Sequence, residues 1–164
     1  MSAPFHKGGL LELLGHAYDQ PAWHGPNLRE SLSEVTLPQA LWRPARERHT
    51  IWELALHCAY WKHVVIRRLE GSDDDNGFSR SPADFPALPE ATAAAWASDL
   101  ALLESTHQQL LAAVGELDEA RLGDRIADEY PPTYAETIFG VANHDLYHAG
   151  QIRLLRVLQG DGNA

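Results

Sequence analysis

The sequence is short of the cysteines that a disulfide framework or a thiolate metal site requires. Cys58 is the only cysteine among 164 residues. An internal disulfide is therefore excluded, and any metal site must be built from nitrogen and oxygen donors. The sequence contains nine histidines. Since neutral imidazole is a common ligand of divalent metals, histidine is the first donor to consider.

Basic residues and long hydrophobic runs are also scarce. Lysine and arginine number 13 against 23 aspartates and glutamates, which gives a net charge of -10 and disfavours contact with nucleic acid or anionic membranes. No segment has the roughly 20 consecutive apolar residues that cross a bilayer, and the beginning of the chain lacks the pattern of a signal peptide. We expect a cytoplasmic protein that binds neither nucleic acid nor membrane, with a single domain over residues 1–164.

Apolar residues recur at helical spacing in four segments. These predict helices over residues 5–19, 49–70, 89–117 and 134–158. Asn27 is a candidate N-cap for a short helical piece that ends near Val35, and Pro38 and Pro44 mark a loop. Residues 71–89 are rich in glycine, aspartate, serine and proline, which predicts a crossover loop. The aspartates at 73–75 in this loop do not have EF-hand spacing.

Four long amphipathic helices bury their apolar stripes most simply against one another. The predicted fold class is therefore all-α, a four-helix bundle with a long crossover loop between the second and third helices. The periodicity does not fix the order of the helices around the bundle. A loop of this length also permits connections other than a simple up-and-down arrangement.

The segment VANHDLYHAGQIRLLRVL carries the pattern with the clearest chemical meaning. His144 and His148 are four residues apart, so both imidazoles lie on one face of the last helix. A helical projection places both toward the bundle, His148 within the apolar stripe and His144 at its shoulder. In the second long helix His57 lies at the margin of the core, whereas His49 and His63 project to the far side. His57 is thus the best candidate for a third ligand.

Two segments, HTIWELALHCAYW and NHDLYHAGQIRLLR, resemble the DinB/YfiT-like superfamily of metal-dependent enzymes, and PAWHGPNLRESL resembles its turn after the first helix. That superfamily consists of four-helix bundles with a three-histidine metal site. The resemblance implies that His57, His144 and His148 bind a divalent cation, with zinc or nickel first and iron or manganese as alternatives. Some relatives are transferases or isomerases that use the thiols bacillithiol or mycothiol, and others are hydrolases. The resemblance also implies a homodimer.

Other residues near this pattern have more than one interpretation. Asp145 falls on the inward half of the last helix and is a candidate catalytic base or acceptor for a ligand N–H, but it could equally pair with Arg153. Gln151 projects beside His144. Cys58 lies at the centre of an apolar stripe, so we interpret it as a small buried hydrophobe.

Two further groups of residues have both a functional and a purely structural interpretation. Glu12 and His16 form an i, i+4 pair that suffices as surface support, although the first helix could also reach the site. Residues that could line the mouth of a pocket are Trp23, His24, Trp52 and Trp61, of which the last two have the spacing of core residues.

Two functional hypotheses follow for the histidine site. An ion held by three neutral imidazoles keeps its full charge, which lowers the pKa of a water or thiol in its open position. The first hypothesis is therefore a metal-dependent enzyme acting on a small molecule, either as a hydrolase or as a thiol-dependent transferase or isomerase. The alternative is a non-catalytic binding or stress-response module in which the metal is structural or vestigial.

Overall fold

Four long helices form the bundle that the apolar periodicity predicts. The computed structural model describes residues 5–72, 77–88, 90–126 and 133–160. Within these ranges the elements, in chain order, are α1 (Lys7–Tyr18), α2 (Leu28–Leu32), α3 (Leu37–Leu41), α4 (Ile51–Leu69), α5 (Ala93–Glu116), a 3-10 helix (Glu119–Gly123) and α6 (Tyr134–Leu158). The aspartates at 73–75 and the prolines at 89, 131 and 132 lie outside the described residues.

Capping side chains fix where the helices begin. The Asn27 side chain accepts a hydrogen bond from the backbone N–H of Glu30, as its predicted N-cap role requires. Thr50 and Glu53 form the same reciprocal box at α4, which begins at Ile51, two residues after the predicted start. Thr92 caps α5, which begins at Ala93. The sequence predicted that this helix begins at residue 89, four residues earlier. For α6 the observed and predicted bounds are the same.

One short helix lies where the sequence predicted only a loop. Leu37–Leu41 forms α3, with Pro38 in its first turn and with Thr36 and Gln39 as a capping box. Proline is tolerated in the first turn because the backbone N–H groups there have no partner within the helix. Pro38 therefore begins a helix here instead of interrupting one, and the prediction of a loop between Pro38 and Pro44 was wrong over these residues.

Each long helix packs against two others, so that α1, α6, α4 and α5 follow one another around the bundle. The Tyr18 hydroxyl at the end of α1 donates to Glu104 in α5, whereas Lys7 at its start donates to the carbonyl of Gly115. The helices α1 and α5 are therefore antiparallel. Two contacts between α4 and α6 give their relative direction. His57 of α4 contacts His148 of α6, whereas Lys62, further along α4, contacts Asp145, which precedes His148 in α6. The helices α4 and α6 are therefore antiparallel.

The neighbours α4 and α5 run in the same direction. Trp52 packs against Trp96 near the start of both helices, with the two rings tilted by 54°, and Leu69 joins Val114 in the core cluster near their ends. A parallel pair requires a connection that returns along the full length of the bundle. The predicted crossover loop makes this return, and it passes beside α4 as it does so.

Within the described residues, no helix combines the length and the hydrophobicity that crossing a membrane requires.

Candidate metal centre

The structure brings His57, His144 and His148 together between α4 and α6. The Nε2 atom of His144 lies 3.0 Å from Nε2 of His57 and 3.0 Å from Nε2 of His148. His57 and His148 are buried, with 7% and 5% of their surface exposed, and His144 is half-buried. Two antiparallel helices thus direct three imidazole nitrogens to one point, although His57 and His144 are 87 residues apart in sequence.

Hydrogen bonds on the far side of two rings determine which nitrogen carries the proton. His57 Nδ1 lies 2.9 Å from the backbone carbonyl oxygen of Asp84, and His148 Nδ1 lies 2.7 Å from Oε1 of Gln151. A carbonyl oxygen only accepts, so both Nδ1 atoms donate. In the neutral rings the Nε2 atoms of His57 and His148 therefore carry lone pairs that point toward His144.

A divalent cation fits this donor set. The Nε2 atom of neutral His144 can donate at most one hydrogen, so it can satisfy only one of the two lone pairs that face it. Two nitrogen lone pairs held 3.0 Å apart without a hydrogen between them repel each other. A cation at the point where the three nitrogens converge would accept all three lone pairs, which is how imidazole binds metals in proteins.

Burial keeps these three imidazoles neutral. Loss of solvent lowers the pKa of His144 to about 3, and the neighbouring histidines lower it further in the same direction. Burial likewise lowers the pKa of His148 to about 4 and shifts the pKa of His57 below its usual value. The deprotonated ring is the form that binds a metal ion. At neutral pH the three ligands are thus ready without loss of a proton.

The crossover loop contributes two residues that support His57 from outside the helices. The ring of Phe85 stacks on His57 with centroids 4.1 Å apart. Asp84 Oδ1 lies 3.1 Å from His57 Nδ1 and accepts a 2.8 Å hydrogen bond from Trp61 Nε1. Asp84 adopts a left-handed backbone conformation with φ of 68°, which aspartate tolerates better than most residues.

A cavity of about 230 Å³ opens beside His144. Its apolar wall includes Trp61, Val65 and Val141, and its charged residues are Arg68 and Glu136. Glu136 accepts a hydrogen bond from Thr133. In the part of the chain that the structure describes, the guanidinium of Arg68 has no hydrogen bond or ion pair. The cavity therefore combines an apolar wall, one imidazole of the histidine cluster, the carboxylate of Glu136 and the guanidinium of Arg68.

A buried ion pair lies behind the histidines. Lys62 and Asp145 are both fully buried, and the Lys62 ammonium donates to Asp145 Oδ2. Asp145 thus pairs with Lys62, not with Arg153 as one sequence interpretation allowed. Burial raises the pKa of Asp145, and the charge of Lys62 opposes that shift. The role of Asp145 as a catalytic base stays a prediction.

Cys58, His144 and Asp145 form a second grouping of possible ligands in the described residues. It is poorly suited to metal binding, because burial raises the pKa of the Cys58 thiol and Asp145 is engaged by Lys62. The interpretation of Cys58 as a small buried residue agrees with its complete burial. The three-histidine set is therefore the chemically favoured one.

His107 occupies the same polar layer without a hydrogen bond. Its ring stacks on Tyr18 with centroids 3.9 Å apart, and neither ring nitrogen has a partner within the described part of the chain. Burial lowers the pKa of His107 to about 3, with Lys62 contributing in the same direction. Folding therefore prevents this histidine from taking up a proton.

Replacing His107 with leucine should weaken the acid sensitivity of the fold. The unfolded chain protonates this histidine below about pH 6.5, whereas the folded chain does so only near pH 3, so stability is lost as the pH falls between these values. Between pH 7 and pH 5 the wild type should lose about 2 kcal/mol more than His107→Leu. Urea unfolding at both pH values measures this difference. His24→Leu, at an exposed position, is the control and should lose as much stability as the wild type. The prediction would be contradicted if His107→Leu also lost as much stability between pH 7 and pH 5 as these two proteins.

The remaining predicted site residues lie in several places. Trp61 lines the cavity, Trp52 is buried in the core, and Trp23 is fully exposed. His49 is exposed. Its ring stacks on the ring of Phe85 with centroids 3.7 Å apart, on the face opposite to the one that His57 covers. The crossover loop thus covers a side of α4 that the helical projection assigned to solvent.

The residues Glu12, His16, His24 and His63 are not in the histidine cluster. Glu12 and His24 are exposed, whereas His16 and His63 are half-buried. Gln151, which the projection placed beside His144, instead accepts from His148. The prediction of His57, His144 and His148 as one cluster is therefore the one that the geometry supports.

The fold and the cluster define a class of helical-bundle protein with a three-histidine site. The family model of the DinB superfamily matches residues 22–152, which include all three histidines. The chain belongs to the DinB superfamily. Comparison with curated proteins and with solved structures gave no match.

Proposed function

We propose that this protein is a metal-dependent enzyme that acts on a small molecule at the histidine cluster. The observation that carries the proposal is the convergence of three Nε2 atoms. The outward Nδ1 atom of His57 is held by Asp84, and that of His148 is held by Gln151. His57, His144 and His148 would hold the ion. Among the described residues no fourth histidine, cysteine or carboxylate joins this set, which leaves room for a substrate.

When bound, the ion would supply Lewis-acid chemistry and would activate a nucleophile at neutral pH. Zinc or nickel suits a set of three imidazoles best, and iron or manganese is the next choice. The residues of the chain would do the rest of the work. Asp84 and Gln151 hold the two ligand rings in one tautomer, and Phe85 keeps the His57 ring in place by stacking on it.

The cavity beside His144 favours a substrate with an apolar body and an anionic group. Trp61, Val65 and Val141 would contact the apolar part. Arg68 would pair with a carboxylate or another anion, since its guanidinium presents several donors in one plane. A low-molecular-weight thiol with a carboxylate has this chemistry, and it would serve as the co-substrate of a transferase or isomerase.

Metal analysis tests the proposed ligands directly. Wild-type protein purified without added metal should contain about one equivalent of a divalent ion, and the double variant His57→Ala/His144→Ala should contain almost none because two of three ligands are gone. Elemental analysis by inductively coupled plasma mass spectrometry measures the content. Titration of the apoprotein with zinc measures the affinity.

The double variant His16→Ala/His24→Ala is the matched control, because it removes two histidines outside the cluster. It should retain the metal content of the wild type. Stoichiometric metal in His57→Ala/His144→Ala would overturn the ligand assignment. If metal-free protein unfolds, the ion is structural, and the non-catalytic alternative is then favoured.

Assays of the metal-loaded protein distinguish the two chemistries. Turnover of activated esters without thiol supports a hydrolase, whereas turnover only in the presence of a low-molecular-weight thiol supports a transferase. Binding of such a thiol, or of a small carboxylate, without turnover supports the binding module.

A further inference from the structure

The three histidines of the cluster differ in what holds their outward nitrogens. His57 Nδ1 donates to Asp84, and His148 Nδ1 donates to Gln151. The Nδ1 atom of His144 is buried and has no hydrogen-bond partner among the residues that the structure describes. A histidine that binds a metal ion almost always donates its second ring N–H to a carboxylate, a carbonyl or water. His144 is therefore the one ligand whose acceptor has still to be identified.

A carboxylate with a free acceptor lies close to the His144 ring. Lys62 donates to Oδ2 of Asp145, and the other carboxylate oxygen, Oδ1, is buried without a hydrogen-bond partner in the described part of the chain. A ring nitrogen of His144, a carboxylate oxygen of Asp145 and the sulfur of Cys58 all lie within 4.8 Å of one another. A buried donor and a buried acceptor that both need a partner are thus close neighbours.

One water fits between the two groups better than a direct hydrogen bond does. Consecutive side chains on a helix point about 100° apart, so His144 and Asp145 do not face each other. A buried water typically makes about three hydrogen bonds. Here it would accept from Nδ1 of His144 and donate to Oδ1 of Asp145, and the sulfur of Cys58 offers a weak third contact. A water in this position would satisfy both buried atoms.

The ion pair of Lys62 and Asp145 needs a reason other than stability. A buried ion pair is often no more stable than well-packed apolar residues of similar volume, because both charges lose their hydration. Lys62 fixes one oxygen of Asp145, which leaves the other oxygen to serve the His144 ring. We propose that Asp145 is a positioning residue for His144, whose Nδ1 hydrogen it receives through one water while Lys62 holds the carboxylate in place.

This inference rests on the proposed metal site and completes the support of its ligands. The outward nitrogens of the three rings then have a backbone carbonyl, an amide oxygen and, through water, a carboxylate as acceptors. Asp145 would favour the tautomer of His144 that carries its hydrogen on Nδ1, which leaves the Nε2 lone pair free for the ion. His144 also lines the cavity of about 230 Å³, so Asp145 would orient the ligand that is nearest to the proposed substrate.

Zinc titration and proton NMR of the zinc-loaded protein test the role of Asp145. Asp145→Asn keeps the size of the side chain but replaces one acceptor oxygen with a donor NH2 group. It should weaken zinc binding by about 10- to 100-fold. It should also move the Nδ1–H resonance of His144 to higher field, because the charged acceptor at the end of the hydrogen-bond chain is lost. Asp124→Asn, the same substitution at an exposed position, is the control and should match the wild type.

A second variant is needed because Asp145→Asn leaves Lys62 buried without an anion and could unfold. Lys62→Met/Asp145→Leu removes both charges and keeps similar volumes, so it should fold and should lose zinc affinity to a similar degree. Wild-type zinc affinity and an unchanged His144 Nδ1–H resonance in the folded variants would overturn the positioning role.

The same titrations separate this inference from the proposed function. A wild type that does not bind zinc would overturn both. Zinc binding that is lost in His57→Ala/His144→Ala but kept in the Asp145 variants would overturn the positioning role alone and would leave the metal site standing.

Discussion

Replacing Lys62 with methionine is expected to lower the free energy of unfolding by about 3 to 5 kcal/mol. Lys62 and Asp145 are fully buried and form an ion pair between α4 and α6. Removal of the ammonium leaves the buried carboxylate of Asp145 without its paired cation. The Oδ1 atom of this carboxylate already has no hydrogen-bond partner among the described residues. Desolvation of the unpaired carboxylate is the main cost. Urea unfolding at pH 7 measures it.

The double variant Lys62→Met/Asp145→Leu is the matched control. It removes both charges and keeps similar volumes, so it should recover most of the lost stability. A loss below about 1 kcal/mol in Lys62→Met would contradict the prediction, since an unpaired buried carboxylate costs more than that. A double variant no more stable than Lys62→Met would show that packing, not charge, explains the effect.

Replacing Asp99 with alanine should both destabilise the protein and weaken metal binding. Asp99 is buried in α5 and accepts from Trp52 Nε1 at 2.8 Å and from Arg80 Nη2 at 2.6 Å. Its loss leaves the buried indole N–H unsatisfied and should cost about 3 kcal/mol. Arg80 belongs to the crossover loop that carries Asp84, so the loop also loses an attachment to the bundle.

The second effect follows from the position of that loop. Groups that orient metal ligands typically change affinity by about 10- to 100-fold when they are lost, and a loosened loop would orient His57 less well. Zinc titration of Asp99→Ala measures this change. Asp99→Asn is the control, since it keeps an acceptor for Trp52 and should lose less stability. Unchanged zinc affinity in Asp99→Ala would show that Arg80 does not hold the loop in place.

The helices could be predicted because each has to bury one apolar face. Ile138, Val141 and Ile152 recur at helical spacing and are buried in α6 as expected. The order of helices around the bundle could not be predicted, because periodicity gives the direction of a face and not its partner. The antiparallel contact of α4 with α6 is a property of the assembled bundle.

The candidate site could be predicted only where its residues lie on helices. The helical projection identified His57, His144 and His148, since their spacing relative to the apolar stripes is visible in the sequence. Asp84 and Phe85 were missed because an irregular loop has no period from which a direction can be read. Lys62 was missed although a signal existed. It lies four residues after Cys58 and three before Val65, within the predicted stripe.

The position of Trp61 gives this protein a built-in optical reporter. Its ring centroid lies 6.3 Å from those of both His57 and His144, and its indole N–H donates to Asp84. Indole fluorescence responds to nearby charge and is quenched by paramagnetic ions. Occupancy of the histidine cluster can therefore be followed by emission without any label, and the difference between wild type and Trp61→Phe isolates the signal of this one residue.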